Sequence, residues 1–78
     1  MPTALRYGPY AFVFFSSNGV EPLHIHVKRD RAIAKYWLEP VKLATNRGFK
    51  NAELRKIGKL VQRFRLQLIE AWHDYFDA

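Results

Sequence analysis

The chain has no cysteine among its 78 residues. That absence removes disulfide cross-links, thiolate nucleophiles and cysteine-ligated zinc in one step. Acidic residues are scarce: seven Asp and Glu stand against 13 Lys and Arg, a formal charge of +6. A basic surface on so small a protein is expected to meet nucleic acid or an acidic protein, because its field gathers anionic partners. Ordinary solubilising charge is the alternative. No apolar run approaches the roughly 20 residues of a bilayer-spanning helix, and no signal-peptide pattern opens the chain. A cytoplasmic protein with no membrane attachment is therefore expected. No internal repeat or low-complexity stretch is visible. What remains is ample material for a core, with 49% hydrophobic and 15% aromatic residues. The length fits one domain, 1–78, near the lower size at which a single core holds.

That domain divides into a strand-rich front, 1–49, and a helical back, 50–78. Gly8-Pro9 marks a turn between two short strands within residues 3 to 15. Tyr10 to Phe15 is β-prone and apolar on both alternating faces. Ser16-Ser17-Asn18-Gly19 reads as the next turn. Leu23 to Arg29 and Arg31 to Leu38 read as a hairpin turning at Arg29-Asp30, with Pro40 ending the second strand and Val41 to Phe49 an irregular loop. Gly48 signals a special backbone angle there. From about residue 51 the apolar period becomes 3.6, through Leu54, Ile57, Val61, Phe64, Leu68 and Trp72. An unbroken helix to Asp77 would run about 40 Å, with Gly58 its weak point. The expected fold is α+β: a small antiparallel sheet of three to four strands packed against one long C-terminal helix. A single helix covers one sheet face, so the aromatic strand Tyr10–Phe15 is expected to seek a homodimer or a cognate protein partner. The alternative is that the N-terminal strands curl and bury both faces unaided.

His24-Ile25-His26-Val27-Lys28 carries the chemistry. On a strand, Leu23, Ile25 and Val27 take one face, while His24, His26 and Lys28 share the other. An Arg29-Asp30 turn adds Arg31, Ile33, Lys35 and Trp37 to that second face, with Lys28 opposite Arg31 as a repulsive pair. Imidazole titrates near neutrality and can take and return a proton within one cycle. Lys28, Lys35 and Arg47 are candidates to hold charge developing on phosphate. Arg29, Arg31 and Trp37 are candidates for nucleic-acid contact, Trp37 by stacking on a base or, equally, as an interface aromatic. This set suffices for RNA cleavage without a metal or other cofactor. His-x-His supplies two ligands where zinc needs at least three, so no metal site is expected. Solvated surface histidines are the plain alternative. Arg55, Lys56, Lys59, Arg63 and Arg65 give the helix a basic flank that reads as a solvated face.

The segments Met1–Arg6, Glu21–Val27, Ala34–Pro40, Asn46–Phe49 and Glu70–Trp72 resemble the small bacterial proteins of domain of unknown function family 4160, essentially from end to end. Members often carry Pro in place of Leu23 and Ser in place of Lys50, and the latter would complete a Ser-x-x-Glu capping box. The resemblance implies one half of a type II toxin–antitoxin pair. It implies a toxin with ribonuclease activity, neutralised by a cognate antitoxin protein encoded nearby. A non-enzymatic nucleic-acid or protein-binding half, an antitoxin or co-repressor, is the competing expectation. The family label assigns no catalytic residue.

Overall fold

The computed structural model describes residues 3–14 and 22–76; the turn expected at Ser16-Ser17-Asn18-Gly19 lies outside them. Five strands precede two helices: β1 (Thr3–Tyr7), β2 (Tyr10–Val13), β3 (His24–Arg29), β4 (Ala32–Leu38), β5 (Val41–Arg47), α1 (Asn51–Arg63) and α2 (Arg65–Phe76). The strands form one antiparallel sheet in the order β1-β2-β3-β4-β5. The α+β class is as expected, but the counts are not. The segment expected as a loop supplies a fifth strand. Glu39-Pro40 forms a two-residue turn with a cis peptide bond, which sets Leu38 opposite Val41. Val41, Leu43 and Thr45 then continue a strand pattern.

Period two is clearest in β4, where Ala32, Ala34, Tyr36 and Leu38 are buried while Ile33, Lys35 and Trp37 are half-buried between them. The β3–β4 hairpin turns at Asp30-Arg31 rather than Arg29-Asp30, pairing Arg29 with Ala32 and Lys28 with Ile33. Asp30 sits at φ 55, a conformation its short polar side chain tolerates. The pairing has moved by two residues, so every side chain keeps its expected face. The shift also removes the repulsion between Lys28 and Arg31.

The helical segment breaks at Phe64 (φ −98, ψ 11), not at Gly58. A straight helix of about 40 Å would overrun a molecule whose longest axis is 35 Å. The sheet holds the joint from both sides. The Phe64 ring lies 5.3 Å from that of Tyr7 and 6.4 Å from that of Phe12, and Arg65 Nε donates to Leu38 O at 2.7 Å. Ile57, Leu60, Val61, Leu68 and Trp72 project into the core from the two helices. Tyr10, Phe12, Val13 and Phe14 are all buried within the one chain. Rings from the helical segment cover them, Phe64 against Phe12, and Trp72, Tyr75 and Phe76 against Phe14; Phe15 lies outside the described residues.

An ion pair fixes α1 to the sheet. Arg29 grips Glu53 with two hydrogen bonds, Nε to Oε2 at 2.6 Å and an η nitrogen to Oε1 at 2.8 Å, and Tyr10 donates to Oε2 at 2.8 Å. Glu53 stands in the first turn of α1, whose N-cap Lys50 makes no side-chain cap. The hydrogen bond from Arg29, and then that from Tyr10, holds the Glu53 carboxyl below its ordinary pKa.

Candidate nucleic-acid interface

The side of the sheet opposite the Ile25, Val27 and Tyr36 core is built from alternate residues of β3 and β4 and, past a register irregularity, from residues of β5. β3 contributes His24, His26 and Lys28, β4 contributes Ile33, Lys35 and Trp37, and β5 contributes Lys42, Thr45 and Arg47. No carboxylate belongs to these strands. Among the described residues, Asp30 and Glu39 sit in turns, and Glu53, Glu70 and Asp74 sit on helices.

His26 lies at the centre of this face, half-buried, opposite Lys35, which is in turn opposite Thr45. His26, Ile33, Thr45, Asn46 and Arg47 line an open depression of about 390 Å³. Its rim is held by local chemistry. The Asn46 side-chain amide donates to Phe49 O at 3.0 Å, and its Oδ1 accepts from Phe49 N at 3.1 Å. Gly48 adopts φ +99, and a Cβ there would come within 3.2 Å of the Ala32 Cβ. The special backbone angle expected at Gly48 is therefore present, and it lets the chain pass close over β4 just after Arg47. Further along the face, Lys35 Nζ lies 4.6 Å from the Trp37 ring centre, a cation–π contact.

The expected outward pair of imidazoles is corrected by the structure. His24 is 1% exposed. Its ring is enclosed by those of Trp72 at 5.0 Å, His26 at 5.4 Å and Trp37 at 5.8 Å, and Nδ1 donates to Pro22 O at 2.8 Å. His24 keeps its predicted face, but it stands where β3 begins and where Trp72 of α2 reaches it. Of the two, His26 is the half-buried one and lines the depression, with its Nδ1 buried. Arg29 is also corrected: it is committed to Glu53 and Asp30 and its guanidinium carbon lies 5.6 Å from the Phe49 ring centre. Arg31 is exposed in the turn, apart from the face. His26, Lys28, Lys35, Trp37 and Arg47 are brought to one surface. Lys42 and Thr45 join them unforeseen, because their segment had no strand signal once Pro40 was read as a terminator.

The basic helical flank is partly occupied within the fold. Lys56 Nζ lies 6.0 Å from the Tyr10 ring, Arg63 sits over Tyr7 and Phe64, and Arg65 holds the Leu38 carbonyl. Among the described residues no three His, Cys, Asp or Glu side chains converge as a metal-ligand set, and no helix is long and apolar enough to cross a membrane.

No curated protein and no solved structure matches the chain. The sequence model of the family described as Domain of unknown function (DUF4160) matches residues 10–73, a stretch that takes in the whole His26 depression. The chain belongs to the DUF4160 family.

Proposed function

We propose that this protein is the RNA-cleaving toxin component of a type II toxin–antitoxin pair, with the outer sheet face as its substrate surface. The observation that carries this reading is a face whose described residues are cationic and include no carboxylate, centred on the half-buried imidazole of His26. A phosphodiester seated in the depression meets Arg47 at its rim and Lys35 beside His26. His26 takes the proton of the ribose 2′-OH. The 2′ oxygen forms a bond to phosphorus, the bond from phosphorus to the 5′ oxygen breaks, and that oxygen takes its proton from water, whose hydroxide recovers the proton held by His26. The products are a 2′,3′-cyclic phosphate and a 5′-hydroxyl. Arg47 and Lys35 stabilise the charge that accumulates on the phosphorane. His24, behind His26, is a positioning residue. A cognate antitoxin would silence the protein by covering this face.

A second reading has its own observation. With His24 buried, one imidazole remains where acid–base cleavage ordinarily draws on two groups. The same surface then serves a non-enzymatic nucleic-acid-binding half of the pair. Incubation of purified protein with defined RNA in chelator separates the two readings. Cutting that persists in chelator and disappears in His26→Ala supports the nuclease. Binding without cutting supports the second reading, and neither binding nor cutting overturns both.

A further inference from the structure

We propose that single-stranded RNA crosses the sheet perpendicular to the strands, its backbone on a row of cations that runs from edge to edge. This rests on the reading of the outer face as an RNA surface and adds a path and an orientation. The strand register defines the row. Arg6 on β1 is opposite Ala11, Ala11 is opposite Lys28, Lys28 is opposite Ile33, and Ile33 is opposite Arg47 on β5. A cation therefore stands on every second strand, with a small or apolar residue between. Strands lie about 4.8 Å apart, so the row spans roughly 19 Å. That is room for about three or four nucleotides, at or just below the roughly 4–16 that an OB fold occupies.

Two further rows orient the ligand. The next row along the strands is Thr3, Val13, His26, Lys35 and Thr45, and beyond it lie His24, Trp37 and Lys42. Each row is about 6.5–7 Å from the last. A backbone on the Arg6–Lys28–Arg47 row sets ribose over His26 and turns the bases toward Trp37. Stacking on Trp37 requires an unpaired base, which selects a single strand over a duplex. The three row cations are uncommitted: among the described residues, Arg6, Lys28 and Arg47 make no salt bridge and no side-chain hydrogen bond, and both salt bridges belong to Arg29. Arg6 and Lys28 border a second open depression, with Thr3, Ala11 and Val13, on the same side of the sheet.

The test is fluorescence anisotropy of a labelled ten-nucleotide single-stranded RNA against salt concentration, in the His26→Ala background so that the probe stays intact. Arg6→Ala is the decisive variant, because Arg6 is two strands from the His26 depression. Removing one phosphate contact is expected to flatten the slope of log affinity against log salt by about 0.7. The expected result is an equal flattening in Arg6→Ala and Arg47→Ala with a several-fold affinity loss in each, none in the helix variant Lys59→Ala, and weaker binding of a duplex of the same length. Melting curves establish that each variant is folded. Binding that depends on Arg47 but ignores Arg6, or that favours duplex, overturns the path and leaves the local site standing. No binding by the parent protein overturns both.

Discussion

His24 and His26 are equivalent in the sequence and opposite in the structure, and substituting each in turn separates stability from function. The His24 ring is 1% exposed, packed against Trp72, His26 and Trp37 and hydrogen-bonded to Pro22 O. Removing a buried ring by truncation to Ala loses its contacts and leaves a cavity, a cost of about 3 kcal/mol at the low end for aromatic side chains. Loss of the Nδ1 hydrogen bond adds about 1 kcal/mol. At about 4–8 °C per kcal/mol for a domain of this size, His24→Ala should melt roughly 16–32 °C below the parent. Total stability of a chain this long is on the order of 4–12 kcal/mol, so this is a large fraction of it. His24→Phe refills the space with a somewhat larger ring and should recover part of the loss, the hydrogen bond to Pro22 O excepted. His26→Ala, at a half-buried position on the open face, should stay within about 1 kcal/mol. Thermal unfolding followed by circular dichroism, with RNA cleavage measured on the same samples, reads both effects. A His24→Ala variant as stable as His26→Ala would refute the assignment of His24 to the interior.

Two glycines should respond with opposite sign. Gly48→Ala places a methyl within 3.2 Å of the Ala32 Cβ at φ +99 and should destabilise by about 2 kcal/mol, whereas Gly58→Ala meets only ordinary contact, 3.7 Å from Tyr36 Cε2, and should gain up to about 1 kcal/mol of helix propensity; urea midpoints check both. Glu53 has a folded-state pKa below its ordinary 4.5 because Arg29, then Tyr10, hydrogen-bonds its carboxylate. Its stabilisation is therefore complete above the unfolded value and is lost as pH falls through the lower folded one. The melting-temperature gap between the parent and Glu53→Gln should accordingly be open at about pH 6 and close toward about pH 3; a gap constant over that range contradicts the ion-pair assignment.

Much of the candidate site was legible because face parity is robust. The β3–β4 pairing differs by two residues from the one expected, yet His26, Lys28, Lys35 and Trp37 still share a side, since only an odd shift exchanges faces. Burial was not legible from parity. Nothing in the alternation of Leu23 to Arg29 announces that Trp72, some fifty residues later, closes over His24. Arg29 looked like a free cation because its partner Glu53 is set by tertiary packing. The fifth strand was hidden by Pro40, which ends a strand when read locally but here shapes a two-residue turn. The helix break left no mark either: Val61, Phe64 and Leu68 keep a helical spacing straight through it, and the bend answers to the size of the sheet.

The central claim is that RNA meets this protein on the outward residues of β3 to β5. The most direct test is a titration of isotope-labelled protein with a short single-stranded RNA carrying 2′-O-methyl groups, followed residue by residue by nuclear magnetic resonance. The account predicts that the largest shifts fall at His26, Lys28, Lys35, Trp37, Thr45 and Arg47, with Arg55 and Lys59 on α1 unmoved. Shifts confined to the basic flank of α1, with the sheet face silent, would contradict it.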